Sequence, residues 1–245
     1  MKLHLKLPIF FLFSLICSAQ SNKIIDLNKV YDPNRIEPLA YKLAMFNTTS
    51  DSISSLSILD RRVSFEKYKG RDCIKIIETN YSGKDKITTI SYMEQQSLAP
   101  VSRKEMVNDS LIETQEIKNN KVLIYNAQGK QINEMDKPKD AYLSNAFSEL
   151  VQANDFNKHP IISFSTFRPG NPKIGRFVAR MVQEEKLKSA YGEVQCLIIQ
   201  FIKLANNGDE ISAGYRYVDK NTGKVLVFKT NLNSDSYFMY QILFF

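Results

Sequence analysis

The stretch from Gly70 to Val101, GRDCIKIIETNYSGKDKITTISYMEQQSLAPV, constrains this chain most, because Gly192 to Leu226, GEVQCLIIQFIKLANNGDEISAGYRYVDKNTGKVL, repeats its plan. In each copy a Gly stands just before a Cys that opens a β-branched run. A Gly-containing polar turn follows, and a second run ends at an aromatic, Tyr92 or Tyr217. A short polar turn comes next, Glu94 to Ser97 or Asp219 to Gly223, and then a further apolar run. Cys73 to Tyr92 is 19 residues and Cys196 to Tyr217 is 21, a difference that a longer hairpin turn absorbs. Paired runs around a Gly turn read as antiparallel hairpins, so the chain is expected to repeat one antiparallel unit.

The rest of the chain extends that reading. Leu39 to Phe46, Ser54 to Tyr68, Cys73 to Tyr81, Lys86 to Met93, Ala99 to Val107, Leu111 to Lys118 and Val122 to Asn126 are β-rich runs at short intervals. Lys173 to Lys188, Val194 to Leu204, Glu210 to Val218, Lys224 to Asn231 and Tyr237 to Phe245 resume the series. Parallel crossovers need a dozen or more residues between strands, so the short gaps favour a meander. Between the two series, Tyr142, Ala146, Leu150 and Ala153 recur at helical spacing within Asp140 to Ala153, with Asp140 as N-cap. The expected fold is mainly β: a curled antiparallel meander, half-barrel or open barrel, of about 11–12 strands with one inserted amphipathic helix. Asn154 to Pro172 reads either as a functional rim or lid, or as a short edge strand over Ile161 to Phe167. The division expected is a signal over 1–19, a loosely docked arm over 20–38, and one β domain over 39–245 carrying the repeat.

Met1 to Ala19 has a basic start, an apolar run from Leu7 to Ile16 and small residues at Cys17 and Ala19, the pattern of a cleavable export signal. Cys17 invites a lipoprotein reading, but Ile16 stands where such signals carry a small residue, which favours cleavage after Ala19. A mature chain beginning Gln-Ser resembles exported proteins of the Bacteroidetes type, and places the protein in the periplasm or outer envelope of a Gram-negative cell. Asp51-Ser52-Ile53 and Asp109-Ser110-Leu111 resemble O-glycosylation acceptors of such bacteria. The formal net charge of +7 falls to +5 without Lys2 and Lys6, and the remaining basic residues are scattered among acids. Such scattering, with export, argues against a nucleic-acid partner.

The search for chemistry excludes more than it finds. His159 is the one histidine outside the signal, no Gly-x-Ser-x-Gly occurs, and no Cys-x-x-Cys or second histidine offers a metal site. Phosphate-cradling glycine loops are absent. Glu184 and Glu185 are adjacent, and on a strand they would face opposite sides. No enzyme, metal or cofactor is expected. Cys73 and Cys196 occupy equivalent places in the two copies, which leaves two readings, a bridge or two buried thiols; burial is the usual state of free Cys and is preferred.

Strand composition differs between the halves. In the first, one face is mostly polar: Thr88 alternates with Ile87, and Glu113 and Gln115 share a face with Leu111. In Cys196 to Leu204 both alternating sets are apolar, as they are in Val225 to Phe228 and Phe238 to Phe245. A sheet apolar on both faces must be covered on both. A helix of 14 residues, about 21 Å long, covers part of one face. The remainder requires curling of the sheet, a bound apolar molecule, or a partner.

The segment Val-Gln-Glu-Glu…Tyr-Gly-Glu-Val-Gln-Cys-Leu-Ile-Ile (Val182 to Ile199), followed by Tyr217-Val-Asp-Lys-Asn-Thr-Gly-Lys-Val-Leu226, resembles a DUF3108-like family of exported bacterial proteins. That family in turn resembles the half-barrels of the lipoprotein localisation factors (LolA/LolB-like). The resemblance implies a concave sheet that holds acyl chains or another amphiphile, and carries over no binding residue. The expectation is therefore a non-enzymatic exported protein that binds a lipid or lipoprotein acyl chain. Phe167, Phe177, Phe201, Tyr215 and Phe228 are the candidate lining. Two alternatives stand beside it: an envelope protein that docks a partner through an apolar sheet face, and an outer-membrane β-barrel, suggested by the aromatic strand ending in Phe245.

Overall fold

In the computed structural model the described residues are 23–48, 52–82, 84–171, 173–189, 192–230 and 237–244, so the export-signal reading of Met1 to Ala19 lies outside them. Sixteen strands form one sheet. They are β1 (Ile25–Asp26), β2 (Leu39–Thr48), β3 (Ile53–Tyr68), β4 (Arg71–Ser82), β5 (Asp85–Glu94), β6 (Pro100–Val107), β7 (Ser110–Lys118) and β8 (Lys121–Asn126). The series continues with β9 (Gln131–Asp136), β10 (Ala141–Leu143), β11 (Ile161–Phe167), β12 (Ile174–Ser189), β13 (Gly192–Leu204), β14 (Glu210–Asp219), β15 (Val225–Lys229) and β16 (Tyr237–Phe244). Among the described residues a single α-helix, α1 (Phe147–Gln152), follows β10 through a 3-10 turn (Ser144–Ala146).

The meander runs β11 to β16, passes directly to β2, and continues to β9. All these pairings are antiparallel; β1 and β10 alone are parallel, and both lie along β11. Thus β9 ends one edge of the sheet, while β10, next in the chain, belongs to the other. Only residues 137–140 join them, and so short a segment spans less than about 20 Å. The sheet is therefore curled until its two edges approach, yet β1 and β9 do not pair and it stays an open half-barrel.

What fills the curl is the chain's own insertion. Tyr142, Leu143, Ala146, Leu150 and Val151 are buried in one cluster with Ile74, Ile76 and Met93 from one half and Ile199 and Phe201 from the other. The helix expected over Asp140 to Ala153 is realised only as α1. Asp140 takes φ 52°, incompatible with an N-cap, and Ala141 to Leu143 pair with Ser165 to Phe167 instead. Sheet pairing across the closure overrides the local helical period. The arm ahead of β2 is also more tightly held than a loose segment: Leu27 is 0% and Ile36 3% exposed, and the Tyr31 hydroxyl donates to the Gln95 carbonyl at 2.9 Å.

Of the two readings of Asn154 to Pro172, the strand is present as β11. It is interior rather than an edge, paired to β12 on one side and to β1 and β10 on the other. Three strands have no counterpart in the sequence reading: β1, β9 and β10.

The repeat is reproduced in register. Cys73 lies opposite Glu94 and Lys75 opposite Tyr92, just as Cys196 lies opposite Asp219 and Ile198 opposite Tyr217. In each copy the register to the next strand slips immediately after the tyrosine, at Tyr92/Met93 and at Tyr217/Val218. The following turns share their hydrogen bonds. Glu94 N–H donates to Ala99 and Leu98 N–H to Glu94; Asp219 N–H donates to Lys224 and Gly223 N–H to Asp219. Leu98 and Gly223, at equivalent places, both have positive φ, 54° and 72°.

Candidate functional site

Residues two apart on a strand share a face, as do directly opposed residues. Phe164 opposes Phe177, Ala179 opposes Phe201, Ile199 opposes Arg216, and Arg216 opposes Phe228. These side chains therefore form one continuous wall, and contact with α1 identifies it as the concave face. The Phe147 ring of α1 sits 5.2 Å from Phe164, 5.1 Å from Phe177 and 4.9 Å from Phe201. The Arg216 guanidinium lies over three of the rings, 4.5 Å from Phe147, 4.8 Å from Phe201 and 4.6 Å from Phe228, close enough for cation–π attraction.

Two glycines shape this wall. A Cβ on Gly175 would come within 2.7 Å of the Phe177 ring, and one on Gly214 within 2.5 Å of the Phe228 ring. The Phe177 ring thus lies along its own strand over Gly175, and the Phe228 ring lies across the neighbouring strand β14 over Gly214, instead of standing into the concavity. Glycine inside a strand weakens it, so here the loss accompanies a wall kept low. Phe147, Phe177 and Phe228 remain half-buried.

The facing half presents a different surface. Across β3 to β7, Arg61 opposes Glu78, Glu78 opposes Thr89, Thr89 opposes Glu105, and Glu105 opposes Glu113. The next row in is Ile76, Ser91, Arg103 and Gln115. Arg61, 3% exposed, donates to Glu78, to Glu149 at 2.6 Å and to the Asn145 carbonyl at 2.9 Å. Burial alone would lower its pKa, but Glu149 and Glu78 outweigh burial and hold it firmly charged. This network ties the α1 insertion to the polar wall. Asn145 adds a bond to Ser91 at 2.9 Å.

Nearer the turns, Arg103 donates to Glu105 at 2.8 Å, and Arg168 reaches the same carboxylate from the β11–β12 turn at 3.2 Å. Burial would raise the Glu105 pKa, but these two guanidinium groups bring it below the ordinary value. Gln115, 2% exposed, donates to Glu113 and to the Pro169 carbonyl at 3.4 Å. Glu105, Glu113, Gln115, Arg168 and Pro169 line a cavity of about 330 Å³ between β6, β7 and the β11–β12 turn.

Successive hairpin turns alternate between the two ends of a meander. The end carrying the 82–85, 107–110, 126–131 and 167–174 connections also carries Ile58, Tyr81, Ile87, Ile112, Ile132, Ile174 and Ile211. These are seven of the ten exposed large apolar side chains among the described residues, so among those residues this rim is the more apolar of the two. The opposite rim is capped by the 3-10 turns ahead of β2 and by the C-terminal end of α1.

Of the five aromatics singled out from the sequence, Phe177, Phe201 and Phe228 are brought together on the concave wall through Phe147 and Arg216. Phe167 is 1% exposed in the main core, opposite Leu143. Tyr215 lies between Gly214 and Arg216 on the strand and therefore faces the other side, where its hydroxyl meets Gln200 at 3.4 Å. The sequence reading did not include Phe147, Phe164, Arg216 or the two glycines; the spacings Gly175-x-Phe177 and Gly214-x-Arg216 were the available signal. Cys73 and Cys196 are free, buried thiols in separate clusters.

No family model matches the chain, and no curated protein matches it in sequence. Solved structures with a similar chain path include a β-barrel-like protein of the domain of unknown function DUF1849 from Brucella abortus. It is 9% identical, with 84% of this chain and 97% of that chain covered, at a TM-score of 0.48. The lipoprotein YmcC from Escherichia coli is 12% identical over 84% of this chain and 85% of its own, at a TM-score of 0.29. A Bacteroides fragilis protein described as exported and YmcC-like in fold is 12% identical over 87% of this chain and 97% of its own, at 0.31. No helix among the described residues is long and apolar enough to cross a membrane, a statement that concerns helices alone.

Proposed function

We propose that the protein is an exported, non-enzymatic binding protein that holds an apolar or amphiphilic molecule, such as the acyl chain of a lipid or lipoprotein, against its concave wall. The observation that carries this reading is the set of half-buried rings of Phe147, Phe177 and Phe228, two of them laid flat over glycines. Aromatic walls with a few placed polar groups are what small-molecule sites use. The apolar rim supports it, since an amphiphile leaving a membrane would meet Ile58, Ile87, Ile112 and Ile174 first. The periplasm or outer envelope is the compartment in which it would act.

The test is native mass spectrometry with solvent extraction on mature protein purified from its own envelope without detergent, followed by titration with a fluorescent fatty acid. A stoichiometric acyl lipid, and a probe that Phe177→Ala binds at least tenfold more weakly, is the expected result. A clean apo mass with no probe binding would overturn the reading. It would leave the same apolar rim as a docking surface for an envelope protein, the second reading that exposed apolar patches favour, to be sought by crosslinking in cells.

A further inference from the structure

The cavity of about 330 Å³ beside the β11–β12 turn is too small for a two-chain lipid and sits at the low end of the range for ligand sites. Its charges fall into those already satisfied and those still available. Glu105 is satisfied, accepting from Arg103 at 2.8 Å and Arg168 at 3.2 Å. Arg103, 7% exposed, is satisfied by Glu105, Gln115 and Thr89. Glu113 forms no ion pair among the described residues; its carboxylate is positioned by buried Gln115, whose amide donates to it. Arg168 is the converse. One of its nitrogens contacts Glu105, and the side chain is 60% exposed.

The lining therefore holds two carboxylates and one guanidinium: Glu105 is paired with one nitrogen of Arg168, which leaves the Glu113 carboxylate and the other Arg168 nitrogens facing the cavity without pairing to each other. The Pro169 carbonyl also lines it, and its second lone pair is available beside the weak bond from Gln115. A guanidinium suits an anionic oxyacid with paired oxygens, and a carboxylate beside a carbonyl suits an ammonium with several N–H donors.

We infer that this cavity is a site for a phosphoethanolamine group, with the phosphate on Arg168 and the ammonium on Glu113 and the Pro169 carbonyl. As the source of that group we take an aminophospholipid, a step that rests on the binding function proposed above; the charge pairing itself does not. Ile112, exposed at the cavity edge, is the side from which the rest of such a lipid would extend.

The experiment uses the full mature chain and isothermal titration with O-phosphoethanolamine, inorganic phosphate and glycine. Dihexanoyl-phosphatidylethanolamine and dihexanoyl-phosphatidylglycerol, both below their micellar concentrations, complete the set. O-phosphoethanolamine is expected to bind at least tenfold tighter than phosphate or glycine, and the ethanolamine lipid at least tenfold tighter than the glycerol lipid. Glu113→Gln removes both preferences while leaving phosphate binding unchanged, and Arg168→Gln weakens phosphate and phosphoethanolamine alike. Unchanged thermal midpoints show that the variants fold, and the wild-type preferences stand independently of them.

Equal binding of the two lipids, with no effect of Glu113→Gln, overturns the headgroup site and leaves the acyl-binding function intact. Phosphoethanolamine binding that depends on Glu113, without binding of either lipid, keeps the site and overturns that function. Preference for glycine assigns the cavity to amino acids and overturns the inference, as does absence of all binding.

Discussion

The two copies of the repeated hairpin agree where they build the core and differ where they face the open rim. Counting from the cysteine and the tyrosine, Ile74 corresponds to Leu197, Ile76 to Ile199 and Met93 to Val218, and each of these is at most 3% exposed. Towards the rim the equivalents part: Glu78 corresponds to Phe201, Thr89 to Gly214 and Ser91 to Arg216. The duplicated feature is backbone geometry, meaning the register, the slip after the tyrosine and the turn that follows. The chemistry at the rim end is not duplicated, and that difference gives the concavity one polar and one aromatic wall.

The largest effect is expected where the polar wall grips the insertion. Arg61→Met leaves buried Glu149 and half-buried Glu78 without their counter-charge, and breaking such a pair costs about 3–5 kcal/mol, measurable by urea unfolding. A cost below about 1 kcal/mol would show that the insertion is held by its apolar side alone.

The equivalent turn positions give a sharper contrast. Leu98 is fully buried, so Leu98→Ala should cost about 2–5 kcal/mol as a cavity. Gly223→Ala should cost about 1–3 kcal/mol for a different reason, a positive φ of 72° and a Cβ 3.2 Å from the Gln152 carbonyl. Leu98→Gly, which relaxes the backbone but empties the core, tells the two apart: it remains strongly destabilising if packing dominates at that copy.

On the aromatic wall, Gly214→Ala should lift the Phe228 ring, cost about 1–3 kcal/mol as overpacking, and weaken fluorescent fatty acid binding. Destabilisation without any loss of binding would remove the wall from the site.

The pH dependence is smaller. With its folded pKa held below the ordinary carboxylate value, Glu105 adds stability that is fully present above the unfolded pKa of about 4.3. That contribution is lost as pH falls through the folded value. Wild type should therefore lose more stability than Glu105→Gln on acidification from pH 6 to 3, read from unfolding midpoints; parallel losses would dissociate Glu105 from the two arginines.

The smallest effect concerns Cys73 and Cys196, the equivalent cysteines of the two copies. Burial, then Asp219 and Glu185, pushes Cys196 up to about 11, and burial raises Cys73 as well. Neither thiol should react with a disulfide reagent at pH 8 until the chain unfolds, when both should titrate without reductant.

Much of the sheet was legible because strands advertise themselves locally. Period-two apolar runs between turn residues located β2 to β8 and β12 to β16, several to within a residue or two. The strands that escaped were those with no burial signal of their own. Gln131–Asp136 is exposed at most positions, and Ala141–Leu143 is a strand only because β11 is beside it. The candidate site was legible in part for a related reason. Phe177, Phe201 and Phe228 stood on predicted strands, and alternation alone would have put Tyr215 opposite Arg216. Phe147 sat in a segment whose helical period extended over residues that fold otherwise, so its place among the rings depended on contacts distant in sequence.

By itself the sequence determined the repeated unit, because turns, bulges and alternation are set by φ/ψ preferences and neighbours a few residues apart. Only the tertiary structure decided that four residues would join opposite edges of the sheet and that the insertion would fill the curl. It also decided that a polar wall would face an aromatic one. These depend on register and closure summed over sixteen strands, and a one-residue slip in any pairing would turn a whole wall to the other face.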